Sequence, residues 1–185
     1  MEKVLLITGS SRGIGAATAL LAAEQGYRIC INYLSDHQAA ERVCAHIRKL
    51  GAQVMAVQAD VSDEDEIIGL FARIDAELGP VTALVNNAGT VAEASRVEEM
   101  SEFRMLRMMK TNVVGPMLCA KHALLRMSPR HGGKGGSIVN VSSVAARLGA
   151  SGEYVDYAAS KGALDTFTLE IGRASCRERV FAGCR

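Results

Sequence analysis

Five short apolar runs punctuate the chain: KVLLIT at 3–8, YRICINY at 27–33, QVMAVQAD at 53–60, VTALVNNAG at 81–89 with its exit loop, and SIVNVSS at 137–143. Their length and bounding glycine or polar residues predict strands. The apolar residues run on continuously rather than at every second position, as in strands covered on both faces. Between them lie longer amphipathic stretches, predicted as helices: 13–26, 36–51, 62–78, 98–130 with an interruption near Thr111, and 154–170. Gly26 and Gly51 follow the first two as stops, and basic residues close the second, as the helix dipole favours. Ser62 is the expected cap of the third helix, with Asp65 as its reciprocal partner. A flexible loop is expected at 132–136. Alternation of strand and helix predicts a single α/β domain, a doubly wound parallel sheet with right-handed crossovers.

Composition narrows the function classes. The chain has 185 residues, about one domain's worth, and a formal charge of +1. That charge offers no general field for nucleic acid or an anionic membrane, so neither is an expected partner. No run approaches the ~18 apolar residues of a membrane span. The amino end is too short and too acidic for a signal peptide, which makes the cytoplasm the expected location. Five cysteines without a C-x-x-C pair suggest free thiols, not a disulfide framework or a zinc site. Cys30, in an apolar run, is expected in the core.

The turn between the first strand and first helix carries the first chemistry. TGSSRGIG at 8–15 places Gly9, Gly13 and Gly15 where a backbone must turn tightly and approach a pyrophosphate, with the helix amino end facing the anion. This predicts a Rossmann-type dinucleotide site. A binder of NAD in this layout needs an acid at the end of the second strand for the ribose hydroxyls. Asn32 and Tyr33 stand there, and Asp36 is expected to start the next helix. Arg12 lies inside the glycine turn. A missing acid and a nearby cation favour NADP(H) over NAD(H).

Tyr157 and Lys161 are four residues apart, which stacks them on one helical face. Spacing alone does not make a catalytic pair. With TGSSRGIG (8–15), NNAG (86–89), TNVVG (111–115), IVNVSS (138–143) and YAASK (157–161) in order, however, residues 1 to about 170 resemble a short-chain dehydrogenase/reductase. The resemblance is nearest to the bacterial glucose 1-dehydrogenase-like and 3-oxoacyl-carrier-protein-reductase-like members. It implies an NADP(H)-dependent oxidoreductase that interconverts a small-molecule carbonyl and alcohol by hydride transfer. Tyr157 would be the acid or base. A phenol of pKa about 10 needs roughly 4 kcal/mol of phenolate stabilisation to titrate near neutrality, and Lys161 would supply much of it. Ser143 would hold the substrate oxygen, with Ser142 as rival on the opposite side of the strand. Asn112 would hold a relay water, or cap the helix interruption. Tyr154 would be a pocket wall.

Cofactor contacts implied by the resemblance are Gly9, Ser11, Arg12, Gly13, Ile14, Gly15, Tyr33, Asp60, Val61, Asn86, Ala88 and Gly89, with Tyr157 and Lys161 at the nicotinamide end. Asp60 has helix capping as an equal alternative. Met100, Met105, Met108 and Met109 crowd one stretch, and the resemblance makes homodimer or homotetramer formation its favoured use in the full-length form. A relative would continue past residue 170 into further strands and a substrate lid, so the expected sheet lacks the family's last strands and leaves the fifth strand at its edge. IGRASCRERV at 171–180 is what one frame of a sequencing-library adapter encodes, and 171–185 is expected to be a non-native tail; genomic sequence running unbroken through it would refute this. The alternative functions are a non-catalytic nucleotide binder and an inactive fragment of the enzyme.

Overall fold

Side chains on successive strand residues point to opposite faces, and here both faces are buried. The computed structural model describes residues 3–149, 152–175 and 180–184. The strands are β1 (Val4–Ile7), β2 (Arg28–Tyr33), β3 (Val54–Gln58), β4 (Ala83–Asn86), β5 (Gly136–Asn140) and β6 (Val180–Cys184). The helices are α1 (Gly13–Glu24), α2 (His37–Lys49), α3 (Glu64–Glu77), α4 (Glu102–Met109), α5 (Gly115–Met127), α6 (Ala145–Leu148) and α7 (Val155–Ser175). All strand pairs are parallel, in the order β3-β2-β1-β4-β5-β6. The order reverses beside β1, which opens a crevice at the carboxyl ends of β1 and β4, where such sheets bind ligands.

On one face, Val4, Leu6, Leu84 and Ile138 pack with Ile67, Phe71 and Ile74 of α3 and with Cys119, Ala123 and Met127 of α5. On the other, Leu5, Ile7, Ile29 and Ile31 pack against Ala19 and Ala23 of α1 and Cys44 and Ile47 of α2. The two clusters divide β1 residue by residue. Cys30, Cys44 and Cys119 are free, buried thiols. Burial pushes Cys30 upward, Cys44 to about 11 and Cys119 to about 12, so all three are protonated at neutral pH. Cys176 lies outside the described residues. Among those residues no helix is long and apolar enough to cross a membrane.

Three expectations are corrected. Asp63, not Ser62, caps α3: its carboxylate accepts from Asp65 N and Glu66 N. Ser62 instead donates its own N–H to Asp60 Oδ1 at 2.8 Å, forming the turn that leads into the cap. The fifth strand is not the sheet edge, because β6 pairs with it from Gly136↔Val180 to Asn140↔Cys184. Val180 is buried in the first cluster, while Phe181 points outward and is 64% exposed. Lastly, β5 ends at Asn140, so Ser142 and Ser143 lie beyond it and strand alternation does not separate them. The interruption near Thr111 is a π-helical turn, Lys110–Val114.

Candidate active site

The glycine turn is held by side chains from β2 and from the residues that directly follow β1 and β4. Gly9 has φ +61°, a conformation L side chains avoid. Its N–H donates to Asn32 Oδ1 at 3.1 Å, and Asn32 Nδ2 donates to Ala59 O at 2.9 Å. Asn32 is therefore a buried clamp between the turn and the end of β3, which accounts for an amide where an NAD binder carries an acid. Thr8 Oγ1 accepts the N–H groups of Asn87 and Ala88, each at 3.0 Å. Asn87 Nδ2 returns bonds to Thr8 O and Gly9 O, both at 2.9 Å. A Cβ on Gly15 would stand 2.6 Å from Asn87 Nδ2 and 2.8 Å from Ser10 Cα. The first turn of α1 is thus drawn against the loop after β4.

A cavity of about 460 Å³ lies along this turn. Gly9, Ser11 and Arg12 line it, with Asn32 and Tyr33 at the end of β2 and Ser35 after it, Ala59, Asp60 and Val61 after β3, and Ala88, Gly89 and Thr90 after β4. Arg12 is exposed. Tyr33 is nearly buried, its hydroxyl paired with His37 Nδ1 at 2.8 Å. Asp36 also lines the cavity, but its carboxylate accepts Ala39 N at 2.8 Å as the cap of α2. Asp60 lines the cavity and does not cap α3; its Oδ1 accepts Ser62 N–H at 2.8 Å in the turn before the cap, which Asp63 supplies. Asn86 does not line the cavity. Its amide donates to Asn140 Oδ1 at 2.8 Å inside the sheet, and Asn140 in turn donates to Thr168 Oγ1 at 2.8 Å, tying α7 to β5 and β4. Gly13, Ile14 and Gly15 sit at the start of α1, outside that lining. Among the lining residues not expected to contact the cofactor are Asn87, Arg107 and Thr111; Asn87 and Thr111 stand inside NNAG and TNVVG, whereas Arg107 lies in no motif. The NN doublet was the one available signal for Asn87.

Beyond Gly89 the second group gathers. Lys161 Nζ donates to Val141 O at 2.8 Å and lies 5.8 Å from the centre of the Tyr157 ring. The two side chains share one face of α7, as their spacing requires. A Cβ built on Gly89 would be 3.4 Å from Asn112 Oδ1 and 3.6 Å from Lys161 Nζ, so glycine there leaves one small gap facing both groups. Asn112 is fully buried in the π-helical turn. Its Oδ1 accepts Thr90 N at 2.8 Å, while Nδ2 donates to Thr90 O at 2.8 Å and to Ser160 Oγ at 3.1 Å. Ser143 Oγ accepts Ala145 N at 3.2 Å and heads α6. Ser142 Oγ is buried with no protein partner. Tyr154 stands just before α7, bridged to Ser95 of the loop after β4.

The short chain dehydrogenase family model matches residues 3–182. The chain belongs to the short-chain dehydrogenase/reductase family. This dehydrogenase is 46% identical over 181 residues to the uncharacterized oxidoreductase YgfF of Escherichia coli, covering 98% of the chain and 73% of that protein. It is 34% identical to the 3-oxoacyl-(acyl-carrier-protein) reductase FabG of Staphylococcus aureus, covering 94% of the chain and 68% of the relative. Among solved structures, a putative short-chain dehydrogenase/reductase from Burkholderia xenovorans superposes with a TM-score of 0.90 at 31% identity, over 99% of this chain and 75% of that one. A Serratia marcescens short-chain dehydrogenase/reductase mutant gives 0.89 at 29% identity, over 98% and 72%. The expected Rossmann-type sheet and the oxidoreductase family are thereby established. The match also extends past residue 170, where the resemblance was expected to stop.

Proposed function

We propose that this enzyme interconverts a carbonyl and an alcohol with NADP(H), using Tyr157 as the acid in reduction and the base in oxidation. The observation that carries this reading is the Lys161 ammonium 5.8 Å from the Tyr157 ring, beside the Gly89 loop that also lines the dinucleotide cavity. A bound nicotinamide supplies or accepts the hydride. The residues of the chain do the rest: Tyr157 gives or takes the proton at the substrate oxygen, and Ser143 holds that oxygen. Lys161 stabilises the phenolate by its charge. Asn112 Oδ1 and Lys161 Nζ face the same gap at Gly89, which supports a water there as the proton's route onward. The substrate class closest to hand is a 3-oxo ester or thioester, on the strength of the FabG similarity.

The cavity supports NADP(H) over NAD(H). No free carboxylate ends β2, since Asn32 is locked into the turn and Asp36 is engaged with α2. Arg12 is the exposed cation in the lining nearest the glycine turn. A charge-assisted hydrogen bond contributes about 1.5–3 kcal/mol. Arg12→Ala is therefore expected to weaken NADPH binding roughly 10- to 100-fold and leave NADH binding within about twofold, read by cofactor fluorescence titration. Equal losses for both cofactors would remove Arg12 from the 2′-phosphate site.

Self-association is proposed through α4, where Phe103 and Leu106, one turn apart, are 75% and 56% exposed. Light scattering is expected to give a dimer or larger species, and Phe103→Glu to lower it. A monomer at micromolar concentration would dismiss the surface.

A further inference from the structure

Tyr157 is the third residue of α7, and its placement depends on where that helix starts. The first turn is held from two sides. On one, Ser95 N donates to Glu153 O at 2.9 Å, so the loop after β4 lies alongside the approach to the helix. On the other, Arg104 of α4 forms a two-point ion pair with Asp156: Nε to Oδ2 at 2.8 Å and Nη2 to Oδ1 at 3.3 Å. The same Asp156 Oδ1 accepts the N–H of Tyr157 at 2.9 Å. Asp156 is 5% exposed in its side chain and Arg104 20%, so the pair is shielded from solvent. Each member favours the other's charge, and the Asp156 carboxyl is held below its ordinary range chiefly by the Arg104 bond. The main chain of Arg104 is anchored in the cap of its helix, where its backbone N–H donates to Ser101 Oγ at 3.2 Å. A carboxylate at the second position of a helix is favoured by the dipole without any partner. The arginine is needed for another reason: its planar fork sets the orientation of the carboxylate, and one of those oxygens holds the backbone of the reacting tyrosine.

We propose that Arg104 is a positioning residue for catalysis, which fixes Asp156 and through it the first turn of α7, and so aims the Tyr157 phenol. The inference rests on Tyr157 being the acid/base. Arg104 touches neither substrate nor cofactor in this role. It acts on the proton-transfer geometry, where a displacement of about 1 Å can cost ~100-fold in rate, and leaves the dinucleotide cavity alone.

The test uses the full chain with NADPH and ethyl acetoacetate, a small 3-oxo ester, together with NMR of tyrosines carbon-13 labelled at Cζ. The chain has four tyrosines, so each signal is assignable by a single Tyr→Phe substitution. Arg104→Gln is expected to lower kcat roughly 10- to 100-fold, with KM for NADPH within about twofold. The Tyr157 signal should move while those of Tyr27 and Tyr33 stay in place. Arg104→Lys keeps the charge without the fork and is expected to recover part of kcat, and it serves as the milder variant if the glutamine form folds poorly. Asp156→Asn, which retains an acceptor for Tyr157 N–H, should cost less than Asp156→Ala. A kcat within threefold of the parent for Arg104→Gln, or an unmoved Tyr157 signal, overturns the inference, as does a parallel loss of kcat and NADPH affinity. Failure of the acid/base reading looks different: Tyr157→Phe would then keep its turnover, whatever Arg104 does.

Discussion

Tyr157→Phe is expected to reduce turnover by at least ~100-fold and by as much as ~10,000-fold, the range a positioned general acid or base contributes. The substitution removes one oxygen and keeps the ring. Packing on α7 is therefore retained, and Lys161 keeps its bond to Val141 O. NADPH affinity should stay within about threefold, because the glycine turn, the Asn32 clamp and Arg12 are untouched. NADPH consumption measured over a panel of ketones and 3-oxo esters, beside a fluorescence titration of NADPH, separates the two quantities. Tyr154→Phe is the matched control. Tyr154 precedes α7 and is tied to Ser95 through the backbone, so losing its hydroxyl should change kcat by less than about threefold. Lys161→Met should harm both steps, since the ammonium faces the phenol and the Gly89 gap at once. A Tyr157→Phe protein that turns over within tenfold of the parent would mean that the proton comes from elsewhere, and the non-catalytic readings of the chain would regain force.

The parts of this enzyme that were legible in its sequence are those whose physics is local. The five strands declare themselves because a strand covered on both faces is apolar at every position, and the glycine turn because a tight backbone path demands glycine wherever it occurs. What was not legible depends on partners far away in the chain. VFAGC at 180–184 carries no strand pattern of its own, and its conformation comes from the open side of β5. Ser62 and Asp63 were both competent caps; the choice was made by Asp60, whose carboxylate binds Ser62 N–H and sets the entry to α3. In the site, the NN doublet could not say which amide lines the cavity. Asn86 ends β4 and is claimed by Asn140 across the sheet, which leaves Asn87 to hold the turn. Arg107 reaches the same cavity from a helix almost a hundred residues beyond the glycine loop, a proximity that only the topology creates.

The second large effect is expected at Gly9, and a neighbouring glycine supplies the comparison. Gly9 and Gly13 both have positive φ, +61° and +58°. A left-handed conformation costs an ordinary residue about 1–2 kcal/mol, and Gly9→Ala and Gly13→Ala share that term. They differ in space. A Cβ on Gly13 meets nothing within 4 Å, whereas one on Gly9 would lie 2.8 Å from Ala88 Cα and 3.2 Å from Ala88 N. Those are backbone atoms, held in place by the bonds from Thr8 Oγ1, so relief requires the turn and the loop after β4 to separate. Gly9→Ala is accordingly expected to lower stability by about 2–4 kcal/mol, against about 1–2 kcal/mol for Gly13→Ala, by urea denaturation. NADPH affinity should fall at least ~10-fold in Gly9→Ala, because separating the two segments displaces Ala88 and Gly89 in the cavity wall and breaks the pairing of Gly9 with Asn32. Equal losses in the two variants would show that strain alone governs the turn, and that its close contact with the loop after β4 does not shape the cofactor site.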